Sequence, residues 1–400
     1  MKYIVIVPDG MFDEPLDALG GKTPLETANR TNMAYMAQHG TTGLVQIIPP
    51  GMPPGSDIGN MAILGYDPRE SHSGRAPIEA ANQGIHLEKD EIAVRCNFVT
   101  CTDNKLMDYS AGHIKTDEAR ILIELLNRKI DFPDVKFYCG KSYRHTVVIK
   151  MLNPKDCYKI KTFPPHDILG KNIKNYLPSG PKSEIFLRLM ERSREILAEE
   201  NINKVRIDLG ENPADMVWLW GQGVKPDLKS FKSKFGLEGA IISAVDLVNG
   251  LGRLAGLEII DVPGITGYYD TNFLGKAEYA LKALEEKDFV YIHIEAPDEA
   301  GHNGDYKEKI RAIENVDKKI VGPILNHFNE QDDIRILLLP DHPTPVALRT
   351  HTSDPVGYIM YGKNIAPDGS EDYSEEATKK KGVRFTSGEA LMESFITKHT

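Results

Sequence analysis

The chain has 400 residues, a formal net charge of −10, 41% apolar residues and 26% charged residues, a length that favours two domains and a composition ordinary for a globular protein. The acidic balance argues against nucleic acid or an anionic membrane as the main partner. No apolar run is long enough to span a bilayer or to act as a secretory signal, and the four cysteines, lacking metal-type spacing, read as reduced thiols of a cytoplasmic protein.

The apolar run Lys2 to Val7 predicts a first core strand that ends at Pro8-Asp9-Gly10. Thr23 to Ala28 reads as a loop entering a helix, Asn32 to His39 has helical spacing, and Gly43 to Ile48 reads as a second strand. Pro49 to Gly55 then holds four prolines and two glycines, which force an extended, turning backbone. Ser56 stands where the next helix begins. Two roles fit it: an N-cap, or a nucleophile whose oxygen lies against helix amides and a metal. The segment by itself favours the cap. Ser71 to Pro77 is small, polar and hinge-like, and Lys225 to Lys234 reads as a second hinge. Between them, strands at 93–100, 135–139 and 146–151 mix with helices at 117–127 and 182–200. From Gly239 a strand at 240–243, a helix at 244–255, a strand at 257–262 and a helix at 273–286 alternate, which predicts a parallel sheet covered by helices on both faces. Lys276, near the start of the last helix, reads as a surface residue. The expected architecture is an α/β domain over 1–72 and 235–400, split by an inserted, smaller α+β domain over 73–234.

Chemistry concentrates between Phe289 and Tyr361. One apolar run leads to Asp298 and His302, a second ends at Asp341-His342, and Arg349-Thr350-His351 supplies a further imidazole. Any one of these reads as ordinary loop residues, since exposed Asp and His are commonplace. Three of them at strand ends converge on the carboxyl edge of a sheet, where open α/β folds bind ligands. Asp9 and Ser56 belong to the same edge. Oxygen and imidazole donors without cysteine suit Mn²⁺, Zn²⁺ or Mg²⁺, and two such ions can clamp the attacking and leaving oxygens of a displacement at phosphorus. The residues alone lead to two-metal phosphoryl or sulfuryl transfer and stop there.

Taken together, Pro8-Asp9-Gly10, Gly55-Ser56-Asp57, Leu64-Gly65-Tyr66-Asp67-Pro68, Gly74-Arg75-Ala76-Pro77, Asp298-Glu299-Ala300-Gly301-His302, Pro340-Asp341-His342 and His351-Thr352 resemble the cofactor-independent phosphoglycerate mutases, archaeal-type branch, of the alkaline phosphatase superfamily. The resemblance covers nearly the whole chain. It implies an alkaline-phosphatase-like α/β fold and a glycolytic or gluconeogenic isomerase that interconverts 3-phosphoglycerate and 2-phosphoglycerate without 2,3-bisphosphoglycerate. By the same resemblance Asp9, Ser56, Asp341 and His342 hold one divalent ion (Mn, Zn, Co or Mg), Asp298, His302 and His351 hold another, and Ser56 carries the phosphoryl group transiently. The inserted domain binds the phosphorylated three-carbon acid and closes over the metals. His113 matches a phosphate-contacting histidine, and Arg144 and His145 are further candidate substrate contacts. Two positions depart from the family pattern: Asn249, where relatives tend to carry lysine, and Asn60, where many carry histidine. A homoserine kinase or a phosphatase on the same fold is the alternative, although no Gly-x-x-x-x-Gly-Lys-Ser/Thr loop is present for a nucleotide. A non-catalytic metal-binding protein has no need of the serine. The native metal and the oligomeric state stay open.

Overall fold

Residues 1–328 and 333–397 are described by the computed structural model. Among them, thirteen strands run in chain order as β1 (Lys2–Pro8), β2 (Thr41–Val45), β3 (Glu91–Thr102), β4 (Lys105–Asp108), β5 (Val135–Tyr138), β6 (Arg144–Lys150), β7 (Met216–Val224), β8 (Gly239–Ile242), β9 (Glu258–Ile259), β10 (Phe289–Ile294), β11 (Ile334–Leu338), β12 (Val356–Gly362) and β13 (Val383–Phe385). The chain divides into two compact units, one of residues 1–72 and 227–400 and the other of residues 73–226. The junction therefore falls at 226 rather than 234. The expected second hinge is partly structure of the larger unit: Phe231–Phe235 is a short helix, Phe231 packs on Phe289 with ring centroids 4.4 Å apart, and the Tyr66 hydroxyl donates to the Lys229 carbonyl at 2.8 Å.

The larger unit holds an eight-stranded sheet in the order β13-β2-β12-β11-β1-β10-β8-β9. Its centre is parallel. β1 pairs with β10 through Val5↔Tyr291 and with β11 through Val5↔Leu337, so the carboxyl ends of the three strands finish nearly level. Every residue of β10 and β11, and all of β1 beyond Lys2, is buried, as expected of strands covered on both faces. Two details differ from the sequence expectation. β12 runs antiparallel to both β11 and β2, and the strand expected over 257–262 shrinks to Glu258–Ile259 on the sheet edge. An apolar run carries no sign of strand direction, and Asp261 with Pro263 ends the pairing early.

The smaller unit is antiparallel. β3 lies between β6 and β7, with β5 beyond β6 and β4 on the carboxyl end of β3. Helices Thr116–Lys129 and Glu184–Ala198 turn their apolar stripes, including Leu122, Leu126, Phe186 and Leu189, into one core with Trp218.

Candidate active site

Three neighbouring strand ends build the site in the larger unit. Asp9 directly follows β1 and is fully buried. Its Oδ2 accepts from His293 Nε2 at 2.9 Å, while its Oδ1 has no hydrogen-bond partner among the described residues. Asp341 lies just beyond β11. Its Oδ2 accepts from Asn60 Nδ2 at 2.8 Å, and its Oδ1 from the backbone N–H of His342 at 3.1 Å and of Gly10 at 3.4 Å. Gly10 is needed there: it sits at φ +62°, and a Cβ would come within 2.6 Å of Asp298 Oδ1. His342 Nε2 lies 3.3 Å from Ser56 Oγ and 3.5 Å from both Asp9 Oδ1 and Asp341 Oδ2. Ser56 is the first residue of helix Ser56–Ile63, whose N-cap is Gly55. The capping role that the segment favoured is thus taken by glycine, and the serine hydroxyl meets an imidazole instead.

After β10 the chain enters helix Ala296–Asn303 at once, with Pro297 in its first turn. Asp298 and His302 are one helical turn apart on it, His302 Nε2 lying 3.3 Å from Asp298 Oδ2. His351 Nε2 reaches Asp298 Oδ1 at 3.4 Å and His302 Nε2 at 2.8 Å. The ring of His351 stacks on His342 at 3.9 Å between centroids. His302 Nδ1 faces the Arg349 carbonyl at 3.1 Å, an acceptor that keeps the proton on Nδ1 and leaves Nε2 for another partner.

Seven sequence-predicted residues (Asp9, Ser56, Asp298, His302, Asp341, His342 and His351) are therefore drawn together. Among the described residues two triads, Asp298/His342/His351 and Asp9/His293/Asp341, each place one donor atom per residue within 4.8 Å of the others. His342 stands between the clusters, near enough to serve either. The donor set fits divalent ions. Burial, and then the charges of Asp341, Glu295 and Asp298, push the Asp9 carboxyl well above its usual range, and a bound cation would relieve that crowding. Burial also raises the Asp298 carboxyl, but hydrogen bonds to His302 and His351 outweigh it and hold the group well below the usual range. His302 is raised to about 9, chiefly by that hydrogen bond.

Several buried groups have roles that the sequence reading did not assign. His293 is the penultimate residue of an all-buried strand, and a lone imidazole in the run Phe-Val-Tyr-Ile-His-Ile was the available signal. Lys276 is not on the surface: it is 1% exposed and its Nζ donates to the His293 carbonyl at 2.7 Å. Asn60, besides holding Asp341, accepts from the Tyr291 hydroxyl at 2.6 Å. Asn249 donates to the Ser243 carbonyl, and its buried Oδ1 has no hydrogen-bond partner among the described residues.

The remaining candidates belong to the smaller unit. His113 is exposed, at φ +50°, edge-on to Tyr143. Arg144 is exposed beside the same tyrosine. His145 is 3% exposed, packed edge-on to Phe98, and accepts from the Gly140 N–H through Nδ1. Burial lowers it to about 3, so it is neutral. Arg144, the first residue of β6, is exposed while His145 beside it is buried, so of these two candidates only Arg144 is open to direct contact. Arg95 lies near Arg144, its guanidinium 3.8 Å over the Trp220 ring and its Nε 2.9 Å from Glu79.

The larger unit is thus an α/β fold whose central strand ends gather a hydroxyl, carboxylates and imidazoles, a donor set that divalent ions take. The family model for 2,3-bisphosphoglycerate-independent phosphoglycerate mutase matches residues 37–203. A relative of that name from Methanothrix thermoacetophila is 47% identical over 397 residues, covering 99% of this chain and 100% of its own. Among solved structures, a Pyrococcus horikoshii protein superposes with a TM-score of 0.83 at 29% identity, covering 100% of this chain and 98% of its own. A cofactor-independent phosphoglycerate mutase from Thermoplasma acidophilum superposes with a TM-score of 0.71 at 27% identity, with 99% of each chain covered. The chain belongs to the 2,3-bisphosphoglycerate-independent phosphoglycerate mutase family, as the sequence resemblance implied.

Proposed function

We propose that the chain interconverts 3-phosphoglycerate and 2-phosphoglycerate by passing the phosphoryl group through Ser56. Divalent ions would be held by Asp9, Ser56, Asp341 and His342 on one side and by Asp298, His302 and His351 on the other. When bound, such ions neutralise phosphoryl oxygens and make a neighbouring hydroxyl easier to deprotonate. The observation that carries the reading is the Ser56 hydroxyl, which caps no helix and sits 3.3 Å from His342 Nε2. In the forward step Ser56 gives up its proton and its oxygen bonds to phosphorus, while the bond to one glycerate oxygen breaks and that oxygen takes up a proton. In the return step the other glycerate hydroxyl loses its proton and its oxygen bonds to phosphorus, while the bond from the Ser56 oxygen to phosphorus breaks and Ser56 regains a proton. The N-terminus of the helix favours the added negative charge.

Recognition of the acid falls in this reading to the smaller unit. Burial, with the charges of Arg75 and Arg144, pulls the Arg95 pKa down while Glu79 pushes it up. Such a crowd of like charge favours an anion. His113 and Arg144, both exposed, are the contacts expected to meet phosphate and carboxylate. A cytoplasmic setting follows from the substrate, and among the described residues no helix is long and apolar enough to cross a membrane. The relatives' names favour the mutase over the kinase reading.

The test is phosphorus NMR of purified chain with 3-phosphoglycerate and Mn²⁺, beside a second reaction with homoserine and ATP. The expected result is 2-phosphoglycerate without added 2,3-bisphosphoglycerate, abolished by EDTA and restored by Mn²⁺. Phosphohomoserine, or inorganic phosphate as the sole product, would overturn it.

A further inference from the structure

We propose that Thr344 is a positioning residue whose single hydroxyl orients one ligand of each proposed ion; this rests on the two-ion reading above. Thr344 is fully buried. Its Oγ1 donates to Asp298 Oδ1 at 2.5 Å and lies 3.3 Å from His342 Nδ1. A threonine hydroxyl has one proton, and an ionised carboxylate can only accept it. The threonine oxygen is then left to accept, so the proton of His342 rests on Nδ1. That tautomer turns an unprotonated Nε2 toward Ser56 Oγ, Asp9 Oδ1 and Asp341 Oδ2, its neighbours at 3.3–3.5 Å. On the other side Thr344 engages Oδ1 of Asp298 and leaves Oδ2, which faces His302 Nε2 at 3.3 Å. Histidine ligands are commonly oriented through their second nitrogen in this way.

The surroundings are built to hold this residue. Its N–H donates to the Phe12 carbonyl at 3.2 Å, and its carbonyl accepts from the fully buried Lys309 Nζ at 2.9 Å. Two glycines make the room. A Cβ on Gly10 would lie 2.5 Å from Thr344 Oγ1, and one on Gly301 would lie 2.3 Å from the Thr344 carbonyl oxygen. Packing alone would be served equally by valine, which has the same shape without the hydroxyl.

The test compares Thr344→Val and Thr344→Ser with the wild type. Mn²⁺ is titrated into metal-free protein by calorimetry, and the imidazole nitrogens of His342 are followed by ¹⁵N NMR. Valine is expected to weaken both Mn²⁺ binding steps by about 10- to 100-fold and to shift His342 away from the Nδ1–H tautomer, while serine stays near wild type. Should the valine variant not fold, Thr344→Ala against Thr344→Ser carries the same comparison. Unchanged Mn²⁺ binding in the valine variant overturns the proposal, and weakening of one step only overturns the bridging role. Wild-type protein that takes up no Mn²⁺ overturns the two-ion reading itself and this inference with it.

Discussion

Replacing Ser56 by alanine separates a structural serine from a chemical one. A capping serine changed to alanine costs about 1 kcal/mol of stability and leaves the chemistry alone. Here the cap is Gly55, whose carbonyl accepts from the N–H groups of Ile58 and Gly59. What alanine removes is a hydroxyl 3.3 Å from His342 Nε2, a hydrogen bond worth about 0.5–1.5 kcal/mol. The greater helix propensity of alanine returns up to about 0.5 kcal/mol of that. The net loss of stability is expected to stay within about 1 kcal/mol, read from urea unfolding. Turnover should instead fall on the order of 10⁴-fold or more, as when nucleophiles are removed from other enzymes, which corresponds to about 5.4 kcal/mol at the transition state. Turnover is measured by conversion of 3-phosphoglycerate with Mn²⁺ present. A variant that keeps a tenth or more of wild-type turnover would refute the covalent route.

Lys309→Met removes one partner of a fully buried pair whose Nζ–Oδ2 distance to Asp13 is 2.6 Å, and urea unfolding should show a loss of about 3–5 kcal/mol; a loss below 1 kcal/mol would mean the pair is not the clamp it resembles. His302→Ala and His342→Ala should each weaken Mn²⁺ binding in calorimetry, one from each proposed site, and wild-type affinity in either would remove that residue from the ligand set. His113→Ala and Arg144→Ala should raise KM for 3-phosphoglycerate while Mn²⁺ affinity and unfolding stay at wild type, and unchanged KM in both would detach the smaller unit from substrate recognition.

The parts legible from sequence are those that depend on local order. Apolar runs closing on Asp9 and Asp341 mark strand ends whatever the topology, and Asp298 with His302 keeps its one-turn spacing because Pro297 starts a helix there. The parts that were not legible depend on long-range packing. Lys276 and Lys309 look like surface lysines in sequence, since nothing local reveals that the His293 and Thr344 carbonyls will meet them. Asn60 is in the same position: its partners Asp341 and Tyr291 are 281 and 231 residues away. The direction of β12 was hidden because a buried apolar strand reads the same way parallel or antiparallel. The burial of His145 against Phe98 is likewise invisible locally, where it is simply the polar neighbour of the exposed Arg144.

In the proposed cycle the phosphoryl group passes through Ser56. The direct measurement is acid quenching of the Mn²⁺-loaded enzyme during turnover of ³²P-labelled 3-phosphoglycerate, followed by peptide mapping. Label is expected on the peptide containing Ser56, present only with substrate and absent in Ser56→Ala. Label on another residue, or none at all in enzyme that is turning over, would contradict it.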